Sequence, residues 1–285
     1  GHWGVCDPQN PKNRRRRCSL LIEGFTPGAD QPTRIIIDTG CDLREQLLDA
    51  NVDRVDAVLY THEHADHTHG IDDLRVLALN QRKRIDVYFS QEAANRIVPS
   101  FAYCFTAPPG SGYPPILNQH LLEAGDNLTI SGPGGDIEIH PFLQDHGDIS
   151  SLGFRVLDFA YSCDLSGIPA ASEPAVSGLD VWILDALRPT PHPSHLSLSE
   201  ALQLIGERPG GFVTIFGPLG QTLFADRPQI QRNPRSTIVK GLWRRALHLL
   251  ERVEQVLAFD GRFASKQCVE RAAQRIDVCS RGDQI

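Results

Sequence analysis

The stretch Thr61-His62-Glu63-His64-Ala65-Asp66-His67-Thr68-His69-Gly70 places four histidines and an aspartate within eight positions. An apolar run, Asp56-Ala57-Val58-Leu59-Tyr60, leads directly into it. Neutral imidazole and carboxylate are the usual ligands of zinc, manganese and iron. The spacing His-x-His-x-Asp-His matters more than the count. On a turn leaving a strand, His62 and His64 can face one point, and Asp66 and His67 on the next bend can face a second. One loop then feeds two adjacent divalent cations. A solvated polar loop is the competing reading, and the buried strand ahead of the loop argues against it.

Composition sets bounds on the rest. The chain has 285 residues, 41% of them hydrophobic and 22% charged, with a net charge of -7. Those values describe an ordinary globular chain with enough apolar residues for a sizeable core. A mildly acidic balance excludes a general grip on nucleic acid, which needs a basic field, but it permits a small phosphorylated substrate. No apolar run is long enough to span a bilayer and no secretory leader is visible. Seven cysteines, an odd number with no Cys-x-x-Cys, fit reduced thiols and a cytoplasmic setting.

Read outward from the loop, strand-like runs recur. Ser19 to Glu23 and Arg34 to Asp38 flank a Thr26-Pro27-Gly28 turn. Leu43 to Asn51 and Ile71 to Gln81 carry helical spacing. Arg84 to Phe89 reads as a strand, Gln91 to Ile97 as a helix, and residues 98 to 120 as a long loop rich in Pro, Gly and aromatics, suited to wall a cleft. Leu128 to Ile130 and Ile137 to Ile139 alternate around a Gly-Pro-Gly-Gly turn. His146 lies seven residues beyond, beside Gly147. A hairpin over 153 to 161 ends at Asp164, and Val181 to Asp185 is a strand ending in an acid. Ser197 with Glu200 marks a capping box. Polar residues thus recur at strand ends, which is how a sheet gathers a site from distant sequence. The basic run Arg14, Arg15, Arg16 and Arg17 offers guanidinium forks for phosphate. Asp38, at a strand end, can hold a metal ligand through a hydrogen bond.

These residues resemble the PhnP-type phosphodiesterases of the metallo-β-lactamase fold, relatives of the tRNase Z nucleases. The resemblance rests on residues 10–17, Ile37-Asp-Thr-Gly40, Thr61 to His67 with Gly70-Ile-Asp-Asp-Leu-Arg75, and Gln144-Asp-His146-Gly. It continues in Tyr161-Ser-Cys-Asp164 and in Leu184-Asp-Ala-Leu-Arg188 with His192-Pro-Ser-His195. It covers about residues 1 to 206 of a single domain and leaves 207–285 divergent.

The resemblance implies an α/β (α+β) fold, an αββα sandwich here lacking its first N-terminal strand. His62, His64 and His146 would hold one cation, Asp66 and His67 the other, and Asp164 would bridge them. A water shared by two cations about 3.5–4 Å apart would attack phosphorus. His195 and Asp66 are the catalytic candidates, His195 as proton donor to the leaving alkoxide. His192 and His69 take supporting roles. The expected cofactors are two divalent ions, Zn, Mn or Fe. The expected substrate is a small cyclic or nucleotide-like phosphodiester, shaped by Arg14 to Arg17, with no extended nucleic-acid surface, no membrane and a possible homodimer. The alternatives are a tRNase Z-like endonuclease and a one-metal nucleotide binder. The last follows because the histidine this family carries about twenty residues after His195 is missing. That region reads Gly211-Phe-Val-Thr-Ile-Phe-Gly-Pro-Leu-Gly220.

Overall fold

A computed structural model describes residues 16–206, residue 3, residues 7–10 and strands at 212–216, 223–225 and 237–241. In chain order the strands are β1 (Leu20–Gly24), β2 (Thr33–Ile37), β3 (Ala57–Leu59), β4 (Ile85–Phe89), β5 (Leu117–Leu121), β6 (Leu128–Gly132) and β7 (Gly135–His146). They continue as β8 (Ile149–Val156), β9 (Phe159–Ser162), β10 (Val181–Asp185), β11 (Phe212–Phe216), β12 (Leu223–Ala225) and β13 (Thr237–Gly241). The helices are α1 (Leu43–Ala50), α2 (Ala65–Thr68), α3 (Leu74–Gln81), α4 (Gln91–Ser100), α5 (Ala102–Phe105) and α6 (Leu198–Gly206). One sheet has the order β13-β1-β2-β3-β4-β5, the other β12-β11-β10-β9-β8-β7-β6.

Period-two alternation explains the layers. Ile35 and Ile37 of β2 enter the core between the sheets, whereas Ile36 enters the core beneath the helices. Leu20 and Ile22 of β1 likewise oppose Leu21, and Ala57 and Leu59 of β3 oppose Val58. Across the gap, Ile137 and Ile139 of β7, Phe154 of β8 and Tyr161 of β9 complete the inter-sheet core. Burying each such side chain contributes about 1.5–3 kcal/mol. The helices α1, α3, α4 and α5 cover the outer face of the first sheet through Leu43, Leu74, Ile97 and Cys104. On the other outer face, Ala201 of α6 packs with Trp182 and Leu184 of β10. This is the expected αββα sandwich.

The expected elements return with three differences. The helix expected from Ile71 begins as a 3-10 turn over Ile71–Asp73. The segment 98–120 is not all loop, because α5 and β5 lie within it. Strand β5 reads Leu-Asn-Gln-His-Leu, is mostly exposed and pairs parallel with β4 at a sheet edge, so it carries no apolar alternation. Strand β7 runs on to His146 through Pro141. Proline is tolerated there because β6 pairs only as far as Ile139, leaving no partner that needs the missing N–H. His146 is therefore the last residue of a strand rather than part of a following loop.

Strands β2 and β3 are parallel, as are β9 and β10, and β7 reaches β9 through two antiparallel steps. The C-terminal ends of all five consequently share one rim, and Asp38, the 61–70 loop, His146, Asp164 and Asp185 lie on it. Two backbone contacts fix the loop against residues 38–40: Thr39 N–H donates to the His67 carbonyl at 2.7 Å, and Gly70 N–H donates to the Thr39 carbonyl at 2.8 Å. A Cβ on Gly70 would overlap the Gly40 carbonyl oxygen and press on Leu43. Gly70→Ala is therefore expected to cost about 1–3 kcal/mol, as overpacking does, read as a lowered urea midpoint at unchanged m-value. Among the described residues no helix is long and apolar enough to cross a membrane.

Candidate metal centre

Asp38 organises the site from beneath. It follows β2 with a left-handed backbone, φ 61°, a conformation Asp tolerates better than most residues. Its side chain is fully buried. Oδ1 accepts from the Thr61 N–H at 2.8 Å, and Oδ2 accepts from the Thr61 hydroxyl at 2.8 Å and from His67 Nδ1 at 2.7 Å. A buried carboxylate needs such partners.

The same network fixes the histidine tautomers. The Thr61 hydroxyl spends its proton on Asp38, so it accepts from His62 Nδ1 at 2.9 Å. That leaves His62 Nε2 as a lone pair. His146 Nδ1 donates to the Ser194 carbonyl at 2.6 Å, which frees His146 Nε2. These two lone pairs meet His64 Nδ1 at 2.9 and 3.4 Å. Asp164 Oδ2 lies 3.8 Å from His62 Nε2, 3.9 Å from His146 Nε2 and 3.2 Å from His67 Nε2. Donor atoms of His62, His64, His146 and Asp164 all fall within 4.8 Å of one another.

Three imidazole nitrogens and a carboxylate oxygen converging on one point fit a divalent cation better than they fit each other. Burial, reinforced by the neighbouring His67, pushes the His62 pKa down to about 2. Burial also lowers that of His146. Both rings are therefore neutral, the form that binds metal. Burial alone would raise Asp164, yet His67, His62 and His195 hold it well below the usual carboxylate range. His67 has the opposite balance, since burial pulls it down but Asp38 and Asp164 outweigh that and raise it. Its Nε2 is buried and lies off the line a hydrogen bond to Asp164 needs. A positive charge is thus favoured between His67 and Asp164, where a cation would supply it.

Asp66 stands at the rim of this half. Its Oδ2 lies 4.0 Å from His67 Nε2 and 3.3 Å from Arg17 Nη1. Arg16 turns to Asp49 of α1 at 2.9 Å, while Arg14 and Arg15 lie outside the described residues. The same holds for 207–211 and 217–220, where the missing histidine was sought. His195 packs edge-on to His146 with ring centroids 4.8 Å apart, and its Nδ1 donates to Asp185 Oδ2 at 3.0 Å. Burial lowers its pKa less than Asp185 and Asp164 raise it. His192 Nδ1 accepts from the Ser194 N–H at 3.3 Å, bracing the carbonyl that orients His146. His69 packs against Phe101.

Sequence reasoning had not assigned roles to Thr61, Asp185, Arg75 or the thiols of Cys18 and Cys163. Asp185 carries a signal, an acid ending a strand ten residues before His195. Arg75, Tyr103, Pro108, Ser111 and Tyr113 line a recess of about 380 Å³, and the Arg75 guanidinium lies over the Tyr103 ring at 5.7 Å.

Asp38→Asn tests the foundation of the site. It keeps the shape but removes the charge that holds His67. Metal affinity is expected to fall about 10–100-fold, the usual cost of losing such a supporting partner, as measured by competition with a chromophoric chelator.

Comparison with known proteins agrees with this fold. The model of the beta-lactamase superfamily domain matches residues 33–213. The crystal structure of a diphosphatase from the PhnP family superposes with a TM-score of 0.65 at 28% identity, covering 76% of this chain and 80% of that one. Human tRNase Z, short form, shares the fold with a TM-score of 0.51 at 16% identity, over 73% of this chain and 97% of that one. A protein of Porphyromonas gingivalis (strain ATCC BAA-308 / W83) named octanoyltransferase is 31% identical over 207 residues, 72% of this chain. The chain spans 40% of that protein's length.

Proposed function

Because the chain belongs to the beta-lactamase superfamily, with a PhnP-like metallo-β-lactamase fold, we propose that it is a metal-dependent hydrolase cleaving a P–O bond in a small phosphodiester or diphosphate. The observation that carries this reading is the convergence of His62 Nε2, His64 Nδ1, His146 Nε2 and Asp164 Oδ2, with the His62 and His146 tautomers already set. His62, His64 and His146 would hold one cation, and His67 and Asp66 a second, with Asp164 reaching both. Divalent cations there would screen the phosphoryl charge and lower the pKa of a water.

The chain's own groups do the rest. Asp38 and the Ser194 carbonyl lock the ligand rings, so no reorganisation is needed as charge develops. His195, with Nδ1 tied to Asp185, has Nε2 as the atom that can give a proton to the leaving oxygen. Arg17 steadies Asp66 and leaves the guanidinium half open to solvent, where it can meet a substrate phosphate. The 28% identical diphosphatase supports phosphorus as the reaction centre.

The direct assay is hydrolysis of bis-p-nitrophenyl phosphate and of a nucleoside diphosphate ester with Zn or Mn added. Turnover lost in His64→Ala supports the reading. Turnover unchanged in that variant contradicts it.

A further inference from the structure

The two halves of the centre differ in composition. Three imidazoles serve the first half. The second has His67, Asp164 and the rim residue Asp66, and the sequence offers no histidine over residues 211–220. The structure brings other donors to this side. Cys18, His67, Cys163 and Asp164 each present one ligand atom, all within 4.8 Å of one another. We propose that the thiols of Cys18 and Cys163 complete the second cation position, placing sulfur where relatives of this centre would use a histidine. The proposal rests on the metal-hydrolase reading above.

Four features support it. The Cys163 Sγ lies 3.3 Å from the Cys18 Sγ and 3.3 Å from Asp164 Oδ1. Two sulfurs on a tetrahedral zinc stand about 3.8 Å apart, given Zn–S bonds of about 2.3 Å, so a movement of about half an ångström reaches that spacing. Both thiols sit on fixed backbone. Cys18 adjoins Ser19, whose hydroxyl donates to the Asp38 carbonyl at 2.9 Å, and Cys163 directly follows β9, next to the left-handed turn at Asp164, φ 52°. Cys163 is buried and Cys18 half-buried, so the pair is shielded from bulk thiol chemistry. The pair is also joined to the first half, because Asp164 belongs to both groups of donors.

The chemistry follows from the donor type. Each thiol that binds releases its proton to solvent, so one divalent cation taking both sulfurs liberates two protons. Thiolate donors favour zinc, cadmium and cobalt over manganese, which suits oxygen ligands. The first position, built of imidazoles, has no such bias. The two positions therefore select different metals, and the second sets the zinc preference of the pair.

Cobalt(II) titration of the stripped full-length chain, kept reduced with a phosphine, tests this without reference to turnover. The expected result is two bound equivalents, the second bringing a near-ultraviolet sulfur-to-cobalt charge-transfer absorption. The C18S/C163S double variant is expected to keep the first equivalent with its visible d–d absorption. That band is its internal control for folding. The near-ultraviolet band should vanish and the second equivalent bind at least tenfold more weakly. A second equivalent that binds without the charge-transfer band, or a band unchanged in the double variant, overturns the thiol assignment alone. So does a wild-type chain that stops at one equivalent. A chain that binds no cobalt overturns the metal-hydrolase reading as well.

Discussion

Asp164→Asn is expected to lower phosphodiester hydrolysis by about a thousandfold or more. The Asp164 Oδ2 lies within 4 Å of ring nitrogens of His62, His146 and His67 together. The surrounding imidazoles, His67 first, hold its negative charge against the cost of burial. An amide keeps the shape but cannot offset two cations. Bringing a cation into place contributes several kcal/mol of transition-state stabilisation, and each 1.36 kcal/mol is tenfold in rate. Three decades is thus the modest end of the expectation. Metal content separates the causes. The variant should retain the cation held by His62, His64 and His146 and lose the other. Full occupancy of both positions together with full activity would show that Asp164 is not shared.

His195→Ala is expected to cost about 10²–10⁴-fold in kcat, the range for losing a positioned proton donor, with bound metal unchanged. The accompanying Asp185→Asn variant checks the role by pH. Asp185 and Asp164 raise the His195 pKa above what burial alone would set. A proton donor works in its protonated form, so activity falls as pH rises through that pKa. Removing the Asp185 charge lowers the pKa and should move the alkaline limb of kcat to lower pH. The asparagine still accepts the Nδ1 hydrogen bond, so ring orientation survives and the shift reports charge. An unmoved limb would reassign that limb to another group. A substrate with a good leaving group, such as p-nitrophenolate, should lose less in His195→Ala than one with an alkoxide leaving group.

Much of the architecture was legible because the strongest signals were local. The apolar runs in Ser19 to Glu23 and Arg34 to Asp38 marked strands, since a strand buried on both sheet faces leaves a near-continuous apolar run. The capping box also appears as read: the Ser197 N–H donates to Glu200 Oε2 at 2.7 Å, and the Glu200 N–H donates to Ser197 Oγ at 3.3 Å. The His62, His64, Asp66 and His67 spacing marked a candidate metal site, because residues this close on one loop are held near one another by chain geometry. Less visible was whatever depends on contact across the fold. β5 at its polar sheet edge left no pattern. The pairing of His195 with Asp185 joins a loop to a strand end ten residues back, and only the fold brings it within hydrogen-bond reach. Cys18 and Cys163 are 145 positions apart, and each alone reads as a small buried hydrophobe. The arginine run shows the limit of composition, since Arg16 and Arg17 serve Asp49 and Asp66 respectively.

The central claim is that hydrolysis depends on cations held by the histidine and aspartate cluster. The most direct measurement is metal-dependent recovery of activity. The chain is stripped with a chelator, then titrated with zinc or manganese while bound metal and bis-p-nitrophenyl phosphate hydrolysis are followed together. The expected result is no turnover in the stripped chain and turnover that rises in proportion to bound metal, with one equivalent fewer bound and no recovery in a His62→Ala/His64→Ala chain that remains folded by circular dichroism. Turnover that survives chelation, or a folded wild-type chain that binds no divalent cation at micromolar concentration, would contradict it.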